Sequence, residues 1–365
     1  ASRLAGGYRP GSLGVIEVDE GSIPAVLAAL APRIVLVGNF FRDQLDRYGE
    51  VAILARRVRE AIAALSVPPR LVLNADDPLV ASLAGERPEA AVWFGVEPGP
   101  EWEAGAGETA DVSHCQSCGG LLEYSSTLIG HLGIWRCTAC GKGRSEPRYV
   151  ARQVVAEGLA RVTFSFCRKD QVAIGMTLSF PGLHAVYNCL GALAVLAEAG
   201  FDPAAVVGWL TRFRPPYGRF ETIPLDGRDL YLMLVKNPAG ANVSLDLLAR
   251  SAPDGSCLLI LNDLAADGRD ISWIYDARFE DLSGVFRAGA AGRRAAALGL
   301  RLVHAGVPRD RVFVIPDIGA ALEAALAATP AGQPLFIIAT YTAMHEVRAL
   351  LVARAGIREF WEDGK

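Results

Sequence analysis

Leu71-Val72-Leu73-Asn74-Ala75-Asp76-Asp77-Pro78 is the stretch on which the fold reading turns. Three consecutive apolar residues without polar alternation read as a short strand buried on both faces. Polar residues then gather at its carboxyl end, and Pro78 closes it. Upstream, Ile34-Val35-Leu36-Val37 repeats the pattern, and the span between the two reads as a helix over about 50–65. Residues 23–31 form an Ala/Leu-rich helix opened by Pro24. Residues 14–20, Gly-Val-Ile-Glu-Val-Asp-Glu, read as a further buried strand ending in three acids. Apolar strands alternating with helices predict an α/β domain with a parallel sheet. Such sheets bind ligands beyond the carboxyl ends of their strands. Glu17, Asp19, Glu20, Asn39, Asp43, Asn74 and Asp76 fall there.

Downstream, the composition shifts at 97–112, a loop leading into a cysteine-bearing segment. Residues 148–180 alternate like antiparallel strands, with a polar turn at Arg168-Lys169-Asp170-Gln171, and 186–199 is a small-residue helix. Pro215-Pro216-Tyr217-Gly218 marks a hinge. Beyond it a second α/β unit is expected, with strands at 230–235, 257–262, 312–315 and 335–339. Its helices are expected at 243–251, 288–304, 319–328 and 343–354. The domain reading is therefore a central domain over 1–216, an insertion over 112–146 and a C-terminal Rossmann-like α/β domain over 217–365.

Cys115-x2-Cys118 is followed, after 18 residues, by Cys137-x2-Cys140. That spacing is a zinc-ribbon signature, in which two knuckles converge four thiolates on one tetrahedral ion. Gly119-Gly120 and Gly141 follow the pairs and free the backbone to turn its amides toward the sulfurs. Four thiolates leave no position for water, so the expected role of Zn is structural, a rigid staple on a surface insertion. His114 and His131 are expected to be bystanders. Cys167, Cys189 and Cys257 sit in apolar segments without a glycine-rich nucleophile turn and read as core thiols.

The 365 residues are about half hydrophobic, 51%, enough for two or three packed domains. A net charge of −4 and a pI near 5.8 supply no basic field for nucleic acid. No apolar run reaches the roughly 18 residues of a membrane span, and residues 1–7 lack the order of a signal peptide. Lysines are scarce, four against 32 arginines, and none precedes Lys142. The phosphate loop Gly-x-x-x-x-Gly-Lys-Ser/Thr is absent from these residues.

Several segments, taken in order, resemble the Mur ligase family. Ile16-Glu17-Val18-Asp19-Glu20 resembles its magnesium-binding strand end. Gly38-Asn39-Phe40-Phe41-Arg42-Asp43 resembles its asparagine followed by an aspartate-rich turn. Asn74-Ala75-Asp76-Asp77-Pro78 resembles its nucleotide-side loop, and Gly182-Leu183-His184-Ala185-Val186-Tyr187-Asn188 its adenine-reading helix start. Gly218-Arg219-Phe220-Glu221 resembles its arginine motif. Within that family, the MurT group of ligase-like subunits is the nearer resemblance. It rests on Val235-Lys236-Asn237-Pro238-Ala239-Gly240, Leu261-Asn262-Asp263, Ala266 to Asp276, Ala339 to Met344, and the four-cysteine insertion.

The resemblance implies an ATP-dependent carbon–nitrogen ligase with Mg, in which the α-carboxyl of D-isoglutamate in lipid II is activated as an acyl phosphate and amidated by ammonia. It implies Glu17 and Asp43 at magnesium, Arg219 and Lys236 as clamps on phosphate or carboxylate, and Asn74, Asp76 and Asn188 on the nucleotide side. It also implies a partner resembling the GatD-type glutamine amidotransferase, because no cysteine here reads as a glutaminase nucleophile. Asp276, with Asp267 and Asp270 behind it, would orient that partner's histidine. A cytoplasmic location at the inner membrane face follows from the substrate. Two other readings stay open: an amino-acid-adding Mur or folylpolyglutamate-type ligase, and a non-catalytic zinc scaffold, which the missing phosphate loop favours. The expectation for the missing loop is an N-terminally incomplete chain.

Overall fold

The computed structural model describes residues 13–19, 21–41, 51–99, 112–168, 171–213 and 219–356. Its first half is built on β1 (Ile34–Val37), β2 (Arg70–Asn74), β3 (Val92–Val96), β4 (Leu122–Ile129), β5 (Leu132–Cys137), β6 (Tyr149–Glu157), β7 (Arg161–Arg168) and β8 (Ile174–Leu178). One sheet runs β1-β2-β3-β6-β7-β8. Its first four strands are parallel, and β6, β7 and β8 continue it as an antiparallel meander. β4 and β5 form a separate hairpin.

Every residue of β3 is buried, as are the last three of β2, which is why these strands read as apolar runs. One face carries α1 (Ile23–Leu30), α2 (Val51–Ala63) and a short turn of helix, α3 (Pro78–Ala81). The other carries α4 (Leu183–Glu198), which buries Leu183, Val186, Tyr187, Leu190 and Leu193. Gly191 sets the approach of α4, since a Cβ there would stand 3.3 Å from Leu36 and Phe94. The short helix α5 (Val207–Arg212) follows α4.

The second half contains β9 (Arg219–Leu225), β10 (Arg228–Leu234), α6 (Pro238–Ser251), β11 (Ser256–Ile260), β12 (Arg287–Ala291), α7 (Ala295–His304), β13 (Val312–Val314), α8 (Ile318–Ala328), β14 (Leu335–Ala339) and α9 (Tyr341–Ala355). The sheet order is β13-β12-β11-β14-β10-β9. All pairs are parallel except the β9–β10 hairpin. Helices α6 and α7 cover one face and α8 and α9 the other, giving a three-layer doubly wound unit. The expected architecture therefore stands: a largely parallel-sheet unit carrying a four-cysteine module, and a Rossmann-like unit.

Two local expectations fail, and some elements were not anticipated. Residues 14–19 form no strand, and Val15 is 96% exposed. Among the described residues β1 is an edge strand bonded only to β2, so this segment has no ladder to hold it extended. The helix expected at 288–304 begins only at Ala295, because Arg287–Ala291 is a central strand. Alanine and glycine suit that strand for steric reasons. A Cβ on Gly289 would lie 2.4 Å from the Phe313 ring and 2.8 Å from Leu258. Close packing thus overrides helix propensity. Lastly, β3, β9 and the β4–β5 hairpin carry no expectation in the sequence reading. The hinge at Pro215–Gly218 lies outside the described residues.

Candidate metal centre and ligase site

Cys115 and Cys118 lie on the loop before β4, Cys137 ends β5, and Cys140 follows on the next turn. The two knuckles are built alike. Cys115 O accepts from Gly119 N at 2.9 Å, and Cys137 O accepts from Gly141 N at 3.1 Å. Cys115 N donates to Gly120 O at 2.8 Å, and Cys137 N to Lys142 O at 2.7 Å. Gly119 and Gly141 have φ of 74° and 73°, values that favour glycine. Amides of Ser117, Gly120 and Cys140 point at the sulfurs of Cys115, Cys118 and Cys137 at 3.4–3.5 Å.

All four Sγ atoms lie within 4.8 Å of one another, the only such group among the described residues. Cys115 and Cys140 sulfurs are 3.8 Å apart, Cys118 and Cys137 sulfurs 3.5 Å. A tetrahedron with metal–sulfur bonds of about 2.3 Å has edges of about 3.8 Å. A disulfide would need about 2.05 Å. The donor set and its spacing therefore fit one metal ion. The amides of Cys140 and Ala139, with the neighbouring thiols, hold the Cys137 thiol down at about 6, while, against the Gly120 amide, Cys140 and Cys137 push the Cys118 thiol up to about 12, so Cys137 ionises first of the two.

The module is not a staple on the surface. Its hairpin enters the first unit, burying Leu132, Trp135 and His131. Trp135 Nε1 donates to Ala75 O at 3.0 Å, and Gly133 N to Asp76 O at 2.9 Å. Arg144, just past the second knuckle, donates to Asp76 Oδ1 at 2.6 Å and to Val96 O at 3.1 Å. Cysteine spacing reveals none of this, since the partners lie some 60 residues upstream.

The loop these groups grip is Asn74–Pro78, which carries two of the residues expected on the nucleotide side. Asn74 and Asp76 are both fully buried, and the Asn74 Nδ2 group completes no hydrogen bond among the described residues. Asn74 Oδ1 accepts from Asp76 N at 3.0 Å. Asp76 Oδ2 accepts from Tyr187 Oη at 2.6 Å and Val96 N at 2.8 Å, so its carboxylate is fully engaged. Burial pushes the Asp76 carboxyl up, while Arg144, Tyr187 and the Val96 amide pull it back. Burial, reinforced by Asp76, raises the Tyr187 hydroxyl well above its ordinary range. Asp77 caps α3 through Leu79 N at 2.8 Å and Val80 N at 3.2 Å. Its other oxygen accepts from Phe40 N at 2.8 Å. Asp77-Pro78 carried a legible signal, an acidic N-cap before proline. Tyr187 and Arg144 carried none.

The remaining expected residues are distributed as follows. Asn188 is exposed on the first turns of α4, one residue beyond the anchored Tyr187. Arg219 is exposed at the start of β9 and bears electrostatically on His184. The His184 ring reaches solvent, yet surrounding protein desolvates it, and Arg219 opposes a second positive charge, so it is pushed down to about 4. Lys236 is exposed between the end of β10 and Asn237, whose side chain caps α6 through Gly240 N at 2.7 Å. Glu17 is exposed on the irregular 13–19 segment. Asp43 lies outside the described residues.

In the second unit Asp267 is 3% exposed, and both its oxygens are occupied. Oδ1 accepts from Thr342 N at 2.7 Å; Oδ2 accepts from Thr342 Oγ1 at 2.7 Å and Leu264 N at 3.1 Å. Asn262 joins this network through Thr342 Oγ1 at 3.0 Å and Thr340 Oγ1 at 2.9 Å. Asp270 accepts from Ser272 N at 2.8 Å. Asp276 is exposed at the end of the 3-10 turn Ser272–Tyr275, beside Tyr275, which is 59% exposed. Of the three acids, Asp267 is committed to its own loop.

A family model of the MurT ligase C-terminal region matches residues 234–344. The MurT subunit of lipid II isoglutaminyl synthase (glutamine-hydrolyzing) from Streptococcus pneumoniae is 30% identical over 361 residues, 95% of this chain and 76% of that protein. The chain belongs to the MurT family. The MurT subunit from Staphylococcus aureus is 34% identical over 298 residues, 81% of this chain and 65% of that protein. The chain thus spans less than two thirds of this second MurT relative and about three quarters of the first. Among solved structures, a pseudomurein peptide ligase type C from Methanothermus fervidus aligns with TM-score 0.69 at 21% identity, over 90% of this chain and 65% of that one. MurF ligase from Thermotoga maritima in complex with ADP aligns with TM-score 0.61 at 13% identity, over 92% and 65%. At these identities the structures establish the fold alone, and the fold is the one MurT members share with Mur ligases.

Proposed function

We propose that this chain is the ligase subunit of a glutamine-dependent lipid II isoglutaminyl synthase, amidating the α-carboxyl of D-isoglutamate in the peptidoglycan stem. The observation that carries the reading is the 30% identity to the Streptococcus pneumoniae MurT subunit over 95% of this chain. The other expectations are consistent with it. ATP and Mg would supply the activating phosphoryl group and neutralise its charge. Glu17 and Asp43 are assigned to magnesium, Asn188 to the nucleotide base, and Arg219 and Lys236 to the clamp on phosphate or carboxylate. Asn74 and Asp76 act behind the site, fixing the loop and, through Tyr187, the rotation of the helix that carries Asn188. The metal of the four-cysteine group is assigned as zinc, because closed all-thiolate tetrahedral sites select it. The boundary between the two units is assigned near residue 217, and the place of action to the cytoplasmic membrane face.

Ammonia would come from a GatD-like amidotransferase. Burial pushes the Cys189 and Cys257 thiols up to about 12, which leaves them inert as nucleophiles at neutral pH. Asp276 is assigned to orient the partner's catalytic histidine, since it faces solvent whereas Asp267 is consumed internally. The test is co-expression with the amidotransferase encoded beside this chain, co-purification, and a glutaminase assay. A stable pair that releases glutamate only when both chains are present is the expected result. A chain that purifies alone and leaves its neighbour's activity unchanged would overturn the reading.

A further inference from the structure

His131 stands at the tip of the β4–β5 hairpin, directly after Gly130, whose φ of 55° closes the turn. The turn drives its imidazole into the first unit, where it is fully buried. Nε2 comes to 3.3 Å from Asp77 Oδ2, and the Phe41 ring stands edge-on to it at 5.1 Å between centroids. Neither ring nitrogen completes a hydrogen bond with good geometry among the described residues. A polar ring buried on such terms is destabilising relative to a satisfied one, so leucine or phenylalanine would fill the space at less cost. Packing alone does not account for a histidine here.

What the ring touches supplies an account. Asp77 is a junction of three segments. Through Oδ1 it caps α3, and through Oδ2 it accepts the Phe40 amide at 2.8 Å. Oδ2 is the oxygen that His131 approaches. Phe40 belongs to Gly38-Asn39-Phe40-Phe41, which leaves the carboxyl end of β1 beside the Asn74–Pro78 loop at the end of β2. The hairpin carrying His131 ends, six residues on, at Cys137. Metal, hairpin, imidazole, carboxylate and Phe40 amide thus form one continuous chain of contacts, reinforced by Gly133 and Trp135 on the carbonyls of Asp76 and Ala75.

We propose that His131 is a positioning residue through which the four-cysteine module sets the loops at the carboxyl ends of β1 and β2, where the chain takes its nucleoside triphosphate. Its ring packs behind the Asp77 carboxylate at 3.3 Å, limiting the room that carboxylate has to leave the Phe40 amide and so linking Gly38–Phe41 to the four-cysteine hairpin. The assignment of the ligand rests on the proposed ligase function; the mechanical coupling does not. Loss of the metal or of the imidazole frees the segment and weakens nucleotide binding without touching the second unit.

The test uses the complex of this chain with its amidotransferase, comparing wild type, His131→Phe and His131→Gln. Phenylalanine keeps the volume and removes the nitrogens; glutamine returns a donor in nearly the place of Nε2. Hydrogen exchange is followed in peptides covering Gly38–Phe41 and Leu73–Leu79, alongside metal content, glutaminase rate and KM for ATP. In His131→Phe, exchange at Gly38–Phe41 is expected to accelerate at least about tenfold. KM for ATP is expected to rise by a similar factor, with one metal still bound and glutaminase unchanged. His131→Gln should recover most of both. Unchanged protection in a folded, metal-loaded His131→Phe would overturn the coupling. Should that variant fail to fold, wild type stripped of metal by a chelator decides: protection at Gly38–Phe41 must fall before protection in β11 and β14, and its persistence would overturn the proposal. If a complex whose ligase chain is expressed from its whole gene turns over no ATP, the ligase reading fails, whereas the exchange result still decides the coupling.

Discussion

Asp76 and Arg144 show how a residue expected beside a ligand is also held by the architecture around it. The carboxylate is fully buried, the guanidinium nearly so, and they meet at 2.6 Å over a glycine. A Cβ on Gly95 would stand 2.5 Å from Asp76 Oδ1 and 2.7 Å from an Arg144 guanidinium nitrogen. Gly95→Ala is therefore expected to cost about 1–3 kcal/mol by overpacking. Arg144→Met should cost more, about 3–5 kcal/mol, because it leaves a buried carboxylate without its counter-charge. The two losses should not add, since Arg144→Met removes one of the atoms the alanine would strike. Chemical denaturation of the two single variants and the double variant measures this directly. Strict additivity would mean that Gly95 is needed for some other reason.

The β4–β5 hairpin is an element held from two ends, by thiolates at its base and by core packing at its tip. Cys137→Ser should abolish metal binding and lower the melting temperature, since Cys137 is a buried ligand that also receives two backbone amides. The loss is a fraction of the ~10–16 kcal/mol that structural zinc contributes in isolated fingers, because Leu132 and Trp135 still bind the hairpin to the body. Normal melting in a metal-free variant would remove the structural role. The four-cysteine cluster was legible because a knuckle is local: two cysteines, two intervening residues and a glycine. The seating of the hairpin was not, since Trp135 and Ala75 are 60 positions apart and nothing in either sequence neighbourhood announces the other. The same limit explains β12, whose Arg287-Ala-Gly-Ala-Ala291 composition suits a helix until Phe313 and Leu258 close over it.

At the scale of the whole molecule, the proposed reading divides the work between the two units. It assigns the nucleotide to Asn188 of the first and the partner's histidine to Asp276 of the second. The family resemblance pointed to three acids for the partner's histidine and could not rank them physically, because burial is a tertiary property. The fold sets Asp267 apart from the other two, which are both exposed. Asp267 holds Thr342 and Leu264, so Asp267→Asn should unlatch the loop after β11 and damage stability. Asp276 ends an exposed turn beside Tyr275 and leaves the second unit's core untouched. Asp276→Asn, which keeps the shape and removes the charge, is therefore expected to leave melting and co-purification with the amidotransferase unchanged. Glutamine hydrolysis by the complex should fall by orders of magnitude, since an acid of this kind fixes the tautomer of the histidine and stabilises its charged form, a contribution of about 10⁴ in well-studied triads. Exogenous ammonia should restore amidation of lipid II, because the ligase half needs no glutaminase once ammonia is present. Full hydrolysis in Asp276→Asn would return the role to Asp270, whereas loss of amidation even with ammonia would place Asp276 in the ligase reaction itself.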